Sequence, residues 1–92
     1  MNQPQDNPFE GRRPEIDYPC SWGYRVMGED EDAMRAAVKA VMGKLDYEVQ
    51  FGNRTAQGNY CSLHLRLVVQ DEQHRNDIFA ALSAHPAIRF VL

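Results

Sequence analysis

Tyr18-Pro-Cys-Ser-Trp-Gly-Tyr-Arg-Val-Met-Gly28 is the stretch on which the reading of this chain turns. From Cys20 onward the side chains alternate. Cys20, Trp22, Tyr24 and Val26 share one parity, and Ser21, Gly23, Arg25 and Met27 share the other. That is the period-two signature of a strand with one buried face, and the first set is expected to point into a core. Ahead of it, residues 1–17 carry Pro4, Pro8 and Pro14 among Asn and Gln, with Phe9 and Ile16 as large apolar residues. Too little apolar surface is available there to offset the entropy of ordering, so the segment reads as a flexible tail and residues 18–92 as the folded domain. Arg12-Arg13 in that tail is either a docking handle or an ordinary solvated terminus.

Working forward, Gly28-Glu-Asp-Glu-Asp32 breaks the strand and opens a helix. Asp30 is the expected N-cap, with Glu31 and Asp32 favoured by the dipole of the first turn. Met34, Ala37, Val38, Val41 and Met42 follow at helical spacing, and Gly43 is placed to end the helix in a left-handed conformation. Tyr47, Val49 and Phe51 alternate as a second strand, and Gly52–Asn59 is turn-rich. Cys61, Leu63, Leu65, Leu67 and Val69 then give the strongest strand pattern, with Tyr60, Ser62, His64, Arg66 and Val68 on the other face. Asp71 caps a second helix whose expected buried stripe is Ile78, Phe79 and Leu82. Arg75 stands where a further apolar residue belongs, which predicts a loosely packed first turn. Pro86 disfavours helix at His85, leaving Ile88–Leu92 for a terminal strand.

The order β-α-β-β-α-β is the split βαβ, or ferredoxin-like, arrangement. It is an α+β fold, a four-stranded antiparallel sheet with the first and third strands central and both helices on one face. The other face stays open.

Tyr18-Pro-Cys-Ser, Val26-Met-Gly28, Gly58-Asn-Tyr60 and the Val91-Leu92 ending resemble the YbeD-like family of small bacterial proteins, over residues 18–92. The resemblance implies a ferredoxin-like fold similar to the ACT domain, the small-molecule-sensing module of amino-acid metabolism. It therefore implies a regulatory or interaction role and brings no catalytic residues. Two positions depart from the family pattern. Gly23 stands where proline is usual, and Cys61 follows Tyr60 where histidine is common.

The residues themselves exclude much of what this fold is used for. With a formal charge of −3 the chain has no long-range attraction for phosphate backbones or anionic membranes. No apolar run approaches a membrane span and no signal segment is evident, so the chain reads as cytoplasmic. Cys61 and His64 lie three apart in a strand and point to opposite faces, while Cys20 and Cys61 begin antiparallel neighbours and fall at opposite ends. No shared metal, disulfide or cofactor site follows from them. The acidic run repels phosphate where related folds bind it, at the first strand-to-helix turn. Ser21 and Ser62 have no oriented base beside them, so no enzyme is expected.

A binding module remains. Two places stand out. One is the strand-to-helix junction Met27, Gly28, Glu29 and Asp30, where a ligand amino group would find carboxylates if the run is more than a helix cap. The other is the open face with Arg25, Tyr60, His64 and Arg66, joined by Arg89, where single-stranded RNA is the rival ligand. RNA is disfavoured there because Ser21 and Gly23 replace the stacking rings of RNA-binding sheets. A small-molecule effector, a protein partner or a homodimer formed by the open face or a sheet edge are the partners this surface suits.

Overall fold

The computed structural model describes residues 16–92, and the expected tail at 1–17 lies almost wholly outside them. The elements are β1 (Cys20–Gly28), α1 (Glu31–Met42), β2 (Tyr47–Arg54), β3 (Cys61–Val69), α2 (Glu72–Ala84) and β4 (Phe90–Val91). The sheet runs β2-β3-β1-β4, every neighbouring pair antiparallel. β1 and β3 are the central strands, and their register runs from Cys20 opposite Val69 to Gly28 opposite Cys61. The two cysteines thus sit at opposite ends of the pair, as the strand order requires.

The core forms because one parity of each central strand is apolar and both helices lie over it. Tyr24 and Val26 of β1 and Cys61, Leu63, Leu65, Leu67 and Val69 of β3 are buried against Met34, Ala37, Val38 and Met42 of α1 and Ile78 and Leu82 of α2. Ile88, just before β4, closes one end.

Both helix starts follow the capping rule. Asp30 accepts from the Ala33 N–H at 3.1 Å and Asp71 from the His74 N–H at 2.7 Å, each satisfying an amide that has no partner within its helix. Gly43 ends α1 with its N–H on the Lys39 carbonyl, at φ 62° and ψ −114°. This is a positive-φ turn, but outside the left-handed helical basin expected from the sequence, and it is a region glycine enters without a Cβ penalty.

Three expectations are corrected. Phe79 is 45% exposed rather than buried, because the inward stripe of α2 runs 75, 78, 82 and position 79 turns a further 100° away. The first turn of α2 is not loose. The Arg75 guanidinium lies 4.6 Å from the Trp22 ring centroid and donates to Tyr18 Oη at 3.0 Å, while Tyr24 Oη donates to the Arg75 carbonyl at 2.6 Å. An arginine occupies the apolar position by stacking its planar head on a strand aromatic. Finally, β2 does not stop at Gly52 but continues to Arg54 through a bulge, with Gly52 and Asn53 inserted between the Phe51–Leu63 and Arg54–Cys61 pairs. Ser62 Oγ accepts from the Asn53 N–H at 3.1 Å and donates to Asn53 Oδ1, which accounts for its burial. Phe51 remains 46% exposed because the helices pack chiefly on β1 and β3 and cover little of β2.

The Tyr24 hydroxyl supplies a test of this corner. Burial is the main cause that raises its pKa; Arg75 opposes this and Tyr18 adds to it. A tyrosine harder to ionise when folded contributes stability that is complete below its unfolded pKa of about 10 and is lost as pH rises through the higher folded value. Tyr24→Phe should therefore cost about 0.5–1.5 kcal/mol at neutral pH, the usual worth of one hydrogen bond, and flatten the fall in urea midpoint above pH ~10. An unchanged alkaline slope would place the titration elsewhere.

Candidate functional site

With the helices on one face, the polar parity of β1 and β3 lies on the other, uncovered by any helix among the described residues. The register sets its neighbours: Arg25 faces His64, and Gly23 faces Arg66 across β1 and β3. From β2, Glu48 faces Arg66 and Gln50 faces His64. From the β4 side, Leu92 exchanges backbone hydrogen bonds with Arg25 at 2.8 and 3.0 Å, which puts its 71%-exposed side chain on the same face. These residues border a groove of about 480 Å3. A second depression of about 410 Å3, bordered by Ser21, Asp46 and Val68, shares Glu48 and Arg66 with it.

Two glycines lie under long side chains of β3 that border the groove. The Arg66 guanidinium lies across Gly23, close enough that a Cβ there would stand 3.0 Å from Nη2. The His64 ring likewise lies over Gly52, with Nε2 3.0 Å from the position a Cβ would take. The long side chains of β3 therefore lean in opposite directions, Arg66 over β1 and His64 over β2. Arg66 also donates to Ser21 Oγ at 3.3 Å.

Of the four open-face residues singled out by the sequence, Arg25, His64 and Arg66 come together at the groove and Tyr60 does not border it. Tyr60 lies beyond the β3 end, where its N–H meets Thr55 Oγ1 at 3.3 Å in the hairpin turn. Arg89 is drawn away as well. Its Nη2 bonds Glu29 Oε2 at 2.9 Å, and this hydrogen bond and the Glu29 charge raise its pKa. Glu48, Gln50 and Leu92 were missed by the sequence reading, since their placement depends on strand register rather than parity.

The strand-to-helix junction is organised differently. Gly28 is packed tight: a Cβ would meet the Ala87 carbonyl oxygen at 2.6 Å and Met34 Sδ at 2.8 Å. Glu29 is bonded to Arg89 and Asp30 caps α1, so both carboxylates already serve the fold. Met27 pairs with Ser62 and Phe90 and belongs by parity to the open face. Among the described residues no three His, Cys, Asp or Glu side chains are grouped to hold a metal ion, and no helix is long and apolar enough to cross a membrane.

Known proteins share both sequence and shape with this chain. An uncharacterised protein of Campylobacter jejuni is 32% identical over 81 residues, covering 88% of this chain and 91% of its own. A UPF0250 protein of Paraburkholderia phymatum is 30% identical over 81 residues, covering 84% and 91%. In three dimensions the chain is similar to the solution structure of protein HP0495 from Helicobacter pylori, with a TM-score of 0.77 and 24% identity over 97% of this chain and 98% of that one. The ACT domain of the GTP pyrophosphokinase of Chlorobium tepidum superposes with a TM-score of 0.57 at 18% identity, over 78% and 94%. At such identities the two structures bear on the fold alone, and they agree that it is the ferredoxin-like, ACT-like α+β sandwich. The model of the family described as "Protein of unknown function (DUF493)" matches residues 13–92, and with the UPF0250 relatives beside it the YbeD-like resemblance resolves into membership: this chain belongs to the DUF493 family.

Proposed function

We propose that the chain is a non-enzymatic regulatory module of the cytoplasm that senses a small metabolite on the open face of its sheet. The observation that carries this reading is the division of labour between the two faces. The buried residues of β1 and β3 serve the core, while the opposite face presents Arg25, His64 and Arg66 around a groove and, among the described residues, has no helix covering it. A concave, preformed surface with a few convergent polar groups is what a small-molecule site requires. The fold shared with the ACT domain of a GTP pyrophosphokinase is consistent with regulation as the use of that surface. The RNA alternative gains no support from the groove, because neither Tyr60 nor the exposed Phe90, the rings this face offers for stacking, borders it.

A melting screen of the full chain against amino acids, keto acids, phosphorylated metabolites and nucleotides tests the reading, with light scattering to follow the oligomeric state. A ligand at a hundred times its Kd stabilises the folded form by about 2.7 kcal/mol. In a domain of this size that corresponds to a rise in Tm on the order of 10 °C. No rise with any class, together with a stable complex in a protein pulldown, would replace the sensor by an adaptor.

A further inference from the structure

We infer that the open-face groove is a site for a small organic anion, whose phosphate or carboxylate group is held by Arg25 and Arg66. The inference rests on the reading of the chain as a small-molecule module and supplies that module with a place and a ligand chemistry.

The arginines carry the argument. At the described positions Arg35 is bonded to Glu31, Arg54 to the Gly58 carbonyl, Arg75 to Tyr18 and Arg89 to Glu29. Arg25 makes no side-chain hydrogen bond or ion pair with any described residue, although it stands at the middle of a central strand. Its neighbour Arg66 has only the Ser21 hydroxyl, a neutral partner at 3.3 Å that an oxyanion can displace. Cationic side chains therefore converge on one groove in a chain whose net charge is −3, and their fixed forks match the geometry of carboxylate and phosphate oxygens.

The backbone fixes where the Arg66 guanidinium lies. Gly23 leaves the room that Arg66 fills, and the Gly23–Arg66 and Arg25–His64 pairs are consecutive on this face. Arg25 and Arg66 occupy diagonal positions on this face, roughly 7–8 Å apart at the backbone, and both border the groove. The His64 ring and the Gln50 amide add donors on the β2 side, and Leu92 gives the groove an apolar wall on the β4 side. A volume of about 480 Å3 exceeds what a bare ion needs and lies within the range of small-molecule sites.

Glu48 narrows the choice. It faces Arg66 and borders the same groove, so a second anionic group at that end is repelled and a hydrogen-bond donor or ammonium is favoured. The ligand class is thus a compact molecule with an oxyanion at one end and a donor at the other.

Two probes separate the sources of the oxyanion: phosphoethanolamine carries phosphate and ammonium, 4-aminobutyrate carboxylate and ammonium. Each is titrated into the 15N-labelled full chain at fixed ionic strength. The expected result with one or both is saturable shifts of the Gly23, Arg25, His64 and Arg66 amides and of the Gln50 side-chain amide. Arg25→Met, at an exposed position with no internal partner, should keep the wild-type Tm and weaken that binding about tenfold or more. Saturation by neither probe, equal binding by the Arg25→Met protein, or saturable shifts with short single-stranded RNA only would each overturn the inference. A metabolite that raises Tm while its shifts fall outside the groove would spare the sensor reading and remove this site alone.

Discussion

Leu63→Ala is expected to lower the stability of the domain by about 2–5 kcal/mol, the range for a large aliphatic side chain deleted from a rigid core. Leu63 is completely buried in β3, a central strand, and is paired with Val26 on one side and Phe51 on the other. Both flanking strands and the helices above hold the cavity open, so little relaxation is available. Small domains have total stabilities of about 5–15 kcal/mol, and a loss of this size removes a large part of the margin. In urea the midpoint should fall sharply at an unchanged slope. A midpoint close to wild type would mean that β3 does not present this parity to the helices.

Gly28→Ala is the second large effect, and it acts by overpacking. The added methyl would meet the Ala87 carbonyl oxygen and Met34 Sδ at distances that real Cβ atoms do not tolerate. The methionine can give way, but the Ala87 carbonyl is backbone in the segment that leads to β4. The cost is about 1–3 kcal/mol. It should appear locally as faster hydrogen exchange at the Leu92 and Arg89 amides, which bond the Arg25 and Met27 carbonyls and hold that segment against β1. Wild-type exchange at both amides in a protein of unchanged Tm would contradict the close approach.

Much of this was legible in the chain because the strongest constraints were local. Alternation in β1 and β3, the aspartates at both helix starts and the glycine after Met42 each fix their own stretch without knowledge of the rest. The sequence fell short where the decisive partner was distant. Arg75 looked like a gap in a stripe until Trp22 and Tyr18, more than fifty residues away, supplied a ring and a hydroxyl. Phe79 looked buried on hydrophobicity, but an α-helix turns it away from the face that Ile78 and Leu82 share. The β2 bulge depends on the Ser62 hydroxyl reaching Asn53 across the hairpin.

The candidate site divides along the same line. Parity alone brought Arg25, His64 and Arg66 to one face. It could not separate them from Tyr60, nor reveal Glu48, Gln50 and Leu92, because these follow from register. Gly23 turns out to be the space that Arg66 occupies. Similarly, the acidic run at the strand-to-helix junction resolves into a cap at Asp30 and an ion pair at Glu29.

The central claim is that the open sheet face does the binding, and a backbone-amide shift map of the full chain tests it most directly. The map is recorded with the metabolite that gives the largest rise in Tm. Shifts concentrated on Gly23–Arg25 of β1 and His64–Arg66 of β3 are the predicted result. Shifts concentrated on α1 and α2, or on Gly28–Asp30 with the open face silent, would contradict it.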